Sequence, residues 1–181
     1  MDQNREVNMP RKIKVFFSFV VLLSFSLFSP LWAFQNEPAD FRGIPWGTLL
    51  EDLPDMTYLA AIGDVKSYKR ENDSMVLGSA QLSSVSYIFY KGRFCSVYVG
   101  FQGPSNFDGL KRGLLEAYGE PYRPSEEMER YFWQGDKVDI ALRYSDEPSP
   151  KGSIIYWFKP IMEEKIADDE AKAARREGAY H

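Results

Sequence analysis

Val85 to Phe101 reads V-S-Y-I-F-Y-K-G-R-F-C-S-V-Y-V-G-F. Two apolar runs flank Lys91-Gly92, and a two-residue loop whose glycine takes positive φ predicts a β-hairpin. Such a loop pairs Tyr90 with Arg93 and Ile88 with Cys95. One face then carries Ile88, Tyr90, Cys95, Val97, Val99 and Phe101. The other carries Val85, Tyr87, Phe89, Phe94 and Tyr98. A half-buried antiparallel hairpin shows one polar face, and this one shows two apolar faces. Aromatics at strand spacing are mostly core, so coverage by the chain's own segments is the plainer expectation. The alternative is an interaction surface made of Val85, Tyr87, Phe89, Phe94 and Tyr98.

Downstream, Phe107, Leu110, Leu114 and Tyr118 recur at helical spacing and predict a helix over about residues 105–118. Ser105 or Asn106 is its expected cap, and Gly119 and Pro121 end it. Gly109 and Gly113 lie on one stripe, where glycine costs about 1 kcal/mol relative to alanine. That stripe predicts close approach to a sheet or a tight neighbour. Met128–Trp133 is the next strand, and Val138, Ile140, Leu142 and Tyr144 alternate with polar neighbours after a turn at Gln134-Gly135-Asp136. Ser153–Lys159, with its run I-I-Y-W-F, is the last strand. Residues 162–181 are rich in Glu, Lys, Arg and Ala and predict a charged tail, helical or disordered.

Upstream, residues 41–48 read F-R-G-I-P-W-G-T. Phe41 and Trp46 are expected as core anchors, with Gly47 freeing the backbone just after Trp46. Thr48 and Glu51 fit a capping box for a short helix near 48–53, ended by Pro54. Strands come next at Met56–Ile62 and Val65–Lys69, then a polar loop over residues 70–83 with a short strand at Met75–Leu77. The second hairpin echoes the first at a shift of 43 residues. Any two hairpins share that much, so the echo is expected to be coincidence. The fold class is α+β: an antiparallel sheet of about five to seven strands, with the main helix across one face.

The chain has 181 residues, 44% hydrophobic and 15% aromatic, which suits one domain with a real core. Arg11, Lys12 and Lys14 precede an apolar run that ends at S-P-L-W-A, and Ala33 is a plausible cleavage point. Residues 1–33 therefore read as a signal peptide, residues 34–161 as the domain, and the location as periplasmic or secreted. Val15 to Phe34 would span a membrane if left uncut; Pro30 and the short apolar core favour cleavage.

A net charge of −4 argues against nucleic acid. One cysteine, Cys95, excludes an intramolecular disulfide, and the lone histidine is the final residue, His181. No metal site, cofactor loop or nucleophile elbow is present in the sequence. Carboxylates remain at Glu126, Glu127, Glu129, Asp136 and Asp139, and a solvated rim explains them better than a hydrolase.

The F-R-G-I-P-W-G-T opening behind a signal peptide resembles that of uncharacterised exported bacterial proteins. The expected layout is similar to the β-lactamase-inhibitor-like and outer-membrane-assembly lipoprotein folds, a likeness that carries no function. The expected activity is non-enzymatic: an extracytoplasmic binding or assembly module that meets a protein partner or its own copy through the aromatic hairpin face. A glycan- or peptide-binding domain of the cell envelope is the alternative. No cofactor is implied.

Overall fold

A computed structural model describes Phe34 and residues 36–178. The expected signal peptide and His181 lie outside the described residues. In chain order the strands are β1 (Asp40–Phe41), β2 (Ile44–Pro45), β3 (Met56–Ile62), β4 (Val65–Arg70), β5 (Val76–Leu77), β6 (Ala80–Tyr90), β7 (Arg93–Gln102), β8 (Arg130–Gln134), β9 (Val138–Ser145) and β10 (Lys151–Phe158). Helix α1 (Pro104–Tyr118) comes after β7, and α2 (Lys159–Gly178) continues directly from β10. The main sheet is antiparallel in the order β3-β4-β6-β7-β10-β9-β8, with β5 paired to the start of β6. The fold is α+β. None of the described helices is long and apolar enough to cross a membrane.

The β6–β7 loop forms as expected. Lys91 and Gly92 both take positive φ, 49° and 77°, as a twisted two-residue hairpin loop requires. Tyr90 pairs with Arg93 and Phe89 with Phe94. The register then slips, because Ile88 pairs with Ser96 and Cys95 is left as a bulge. One extra residue reverses the alternation beyond it. Val97, Val99 and Phe101 therefore join Val85, Tyr87, Phe89 and Phe94 on a single inner face.

That result corrects the expected interaction surface. Tyr87 and Phe94 are 0% exposed, Phe89 1% and Val85 7%. Of the five residues only Tyr98 remains exposed, at 38%, and it lies on the opposite, outer face.

Two pieces of chain seal the inner face. Helix α1 buries Phe107, Leu110 and Leu114 against it. Phe34 and residues 36–53 cover the remainder. Phe41 meets Tyr87 edge-on at 5.9 Å, and Trp46 stacks between Phe94 (4.9 Å) and Phe158 (6.3 Å). The backbone explains why the segment is needed. Strand β10 pairs with β7 only from Ser96 onward. Before that point Gly47 donates to the Phe94 carbonyl (2.8 Å), and the Phe94 amide donates to the Thr48 carbonyl (2.9 Å). Residues 47–50 thus take up the edge of β7 that β10 leaves free.

Several local expectations are corrected. Residues 50–52 form a 3-10 turn, and Thr48 donates to the Pro45 carbonyl instead of capping it. Helix α1 starts at Pro104, with Gly103 as its N-cap and no side-chain cap. Asn106 turns away and accepts the Gln81 amide. An added Cβ at Gly109 would come within 2.8 Å of Ser79 Oγ, whereas at Gly113 it would meet nothing within 4 Å. Half of the glycine stripe is therefore a close approach and half is open. The expected boundary between residues 161 and 162 falls inside the continuous helix α2.

The two hairpins also differ in detail. Trp133 pairs with Ile140 and Gln134 with Asp139 around a longer loop. Trp133 is buried among the inner-face residues, while Tyr90, its counterpart in the 43-residue echo, packs on the outer side.

Candidate interaction surface

The outer face is closed at one end. Ile88, Tyr90 and Cys95 pack against Ile161 and Met162 of α2. Polar contacts then pin the helix along the hairpin tip. Arg93 binds Glu164 (2.5 Å), and Tyr90 donates to Asp168 (2.6 Å). Lys91 reaches both acids, at 3.3 and 2.5 Å, and Lys172 meets Asp64 in the β3–β4 turn at 2.7 Å. These groups are largely exposed, so each pair contributes little alone; the apolar contact under Ile161 does more.

Cys95 lies under this helix, 1% exposed. Burial pushes its thiol up to about 11, so the cysteine is a packing residue rather than a nucleophile.

Beyond α2 no helix or strand among the described residues covers the outer face. The sheet register sets out its pattern, because directly paired residues share a face. One row runs Ser86, Tyr98, Ile155, Ala141, Phe132 across β6, β7, β10, β9 and β8. The row nearer α2 contains Ser96, Trp157 and Asp139, and the row on the far side contains Gly100, Ser153, Arg143 and Arg130. Tyr98, Ile155 and Phe132 belong to neither buried cluster. Ala141 is 0% exposed at the centre of its row, walled in by its larger neighbours.

The electrostatics at one end are uncompensated. Arg130 and Arg143 stand directly opposite each other, an arrangement that like charges disfavour. Arg143 lies over the Phe132 ring, 5.9 Å from its centre. Among the described residues no carboxylate comes within ion-pair distance of either arginine. The row therefore offers an apolar strip ending in two cations, which suits a partner with an acidic group beside apolar side chains.

Two of the carboxylates singled out in the sequence, Glu129 and Asp139, lie at opposite ends of one hairpin. Glu129 precedes β8, accepts the Tyr131 hydroxyl, and lies 3.9 Å from Lys111 and 4.0 Å from Arg123. Asp139 sits at the other end of the β8–β9 hairpin, 3.6 Å from Lys159. Five residues of strand separate them, about 17 Å, well beyond the spacing of a glycosidase pair. Among the described residues no group of acidic, histidine or cysteine side chains could hold a metal ion.

Phe41 and Trp46 serve as the anchors expected, and Gly47 donates its amide to β7. Ile155, Trp157 and Phe132 were not expected together. The available signal was the period-two split within Ile154 to Phe158: Ile154 and Tyr156 are buried, while Ile155 and Trp157 are half-buried.

Fold and surface together define an α+β domain with one sheet face sealed and the other half open. No protein-family model, curated protein or solved structure matches the chain.

Proposed function

We propose that this domain is a non-enzymatic, extracytoplasmic binding or assembly module that receives a protein partner on the open part of its outer sheet face. The supporting observation is the row Tyr98–Ile155–Ala141–Phe132, apolar across four strands, with Arg130 and Arg143, which have no ion-pair partner among the described residues, at its end. Aromatic and arginine side chains at the centre of a flat surface are the usual anchors of protein interfaces. The extracytoplasmic location rests on the basic and apolar leader.

A second reading, a cell-envelope glycan or peptide ligand, draws on Trp157 lying one row from Tyr98 with Ser153 and Ser86 close by.

A photo-crosslinking residue at position 98, compared with one at the exposed Glu116, tests the proposal in the producing cell. A discrete protein adduct at 98 and none at 116 supports it. Loss of that adduct on charge reversal at Arg130 and Arg143 would support the acidic-partner chemistry. Equal labelling at both positions, or none at 98, overturns it. Quenching of Trp157 by cell-wall fragments, without any protein adduct, favours the glycan reading.

A further inference from the structure

We infer that the free edge of β3 is a self-association edge, where a second copy of this chain adds its own β3 antiparallel to make one continuous sheet. This goes beyond the outer-face proposal and uses a different surface. The two edges of the sheet are treated differently. At β8 the outer backbone is occupied: Tyr122 donates to the Phe132 carbonyl (2.8 Å), and the Phe132 amide donates back to Tyr122 (2.9 Å). Charged Arg130 also sits on that strand. At β3 the backbone pairs with β4 alone, and its outer side has no strand partner among the described residues.

The sequence of β3 is M-T-Y-L-A-A-I, with no charge and no proline. Sheet edges are normally defended by lysines, prolines, inward charges or bulges, because bare edges template pairing with another chain. The one such device in β3 is a bulge at Leu59, and it presents an apolar side chain, 47% exposed, rather than a charge. Tyr58 is 55% exposed and Ile62 86%.

The choice of a second copy rests on this neutrality. A strand without charge offers no code to attract an acidic or basic peptide. Paired with itself so that Tyr58 faces Ala61, two residues whose backbone groups point away from β4 on either side of the bulge, it sets Thr57 against Ile62, with no like-charge clash. The pairing is isologous and closes as a two-fold dimer. One seven-residue edge buries less than the roughly 800 Å² per partner of a standard interface, so the dimer is concentration-dependent.

The test uses the exported protein purified as the cell produces it, by analytical ultracentrifugation over a wide concentration range. Wild type is expected to dimerise and to dissociate on dilution. Ala60→Lys combined with Ala61→Lys, at exposed positions, is expected to stay monomeric with unchanged circular dichroism and melting. Tyr98→Ser is expected to dimerise like wild type. Amide hydrogen exchange over Met56–Ile62 should slow as concentration rises. A wild-type monomer at every concentration overturns the inference. So does a dimer that survives the lysines, a dimer that Tyr98→Ser abolishes, or exchange at β3 that ignores concentration.

Discussion

Ile88 sits opposite Ser96 in the central hairpin, with Cys95 left over between Ser96 and Phe94. That slip gathers Val97, Val99 and Phe101 onto the face of Tyr87, Phe89 and Phe94 and turns Cys95 toward α2. The thiol, raised to about 11 by burial, is therefore protonated and inaccessible at neutral pH. A thiol reagent added to the native protein at pH 8 should label Cys95 only at the rate of unfolding or of α2 release, and fully within seconds in denaturant. Fast native labelling would contradict the docked position of α2.

The two glycines of α1 should respond oppositely to alanine. Gly113 has open space where a Cβ would go, so Gly113→Ala should stabilise the domain by about 1 kcal/mol through helix propensity alone. At Gly109 the new methyl would lie 2.8 Å from Ser79 Oγ. The hydroxyl must move, and the propensity gain should be partly or wholly lost. Denaturant melts of the two variants give the comparison directly.

Docking of α2 should weaken in acid. Asp168, hydrogen-bonded first by Lys91 and then by Tyr90, titrates below its ordinary 3.8, and Glu164, held by Arg93 and then Lys91, below its ordinary 4.5. Depressed carboxylate values stabilise the docked helix above those ordinary values, and the contribution disappears as pH falls through the folded ones. Lys91 is raised, chiefly by Asp168 and then by Glu164, so its share is present below its ordinary 10.5 and is lost as pH rises through the folded value. Hydrogen exchange of residues 161–172, corrected for intrinsic rate, should be faster at pH 3 than at pH 7. Added salt should narrow the difference. Asp168→Asn should bring much of the acid behaviour to pH 7.

Tyr144 stacks on Phe107 at 4.6 Å, and its hydroxyl makes no well-formed hydrogen bond among the described residues, although burial raises its pKa and Asp146 stands near enough to add to that. Loss of a hydroxyl that is poorly bonded costs little. Tyr144→Phe keeps the ring, so thermal melting should show an unchanged or raised midpoint. A fall of several degrees would mean that the hydroxyl has a partner.

Strand alternation and turn chemistry made the sheet legible. The Lys91-Gly92 loop, the helix ending at Tyr118 and the alternation from Val138 to Tyr144 all stand in the fold. The bulge was not legible, because nothing in F-C-S marks which residue will be skipped, and one skipped residue reversed the surface assignment. The docking of α2 was hidden for a related reason. Its contacts, Ile161 on Cys95 and Asp168 on Tyr90, pair residues more than sixty positions apart, and a charged composition reads as a solvated tail. The Tyr98–Ile155–Phe132 row needed strand order, which places β10 between β7 and β9 although β10 comes last in the chain.

The β8–β9 turn is held from both ends of the domain. The Glu37 carboxylate accepts the amides of Asp136, Lys137 and Val138, and Lys159 donates its ammonium to the Gly135 carbonyl (2.6 Å) and its amide to the Lys137 carbonyl (2.7 Å). A tug on the polypeptide from its amino-terminal side is thus delivered into the same four residues that fasten the root of α2. Under mechanical load the domain should yield there first, shedding its leading strap and its trailing helix together while the central strands stay zipped.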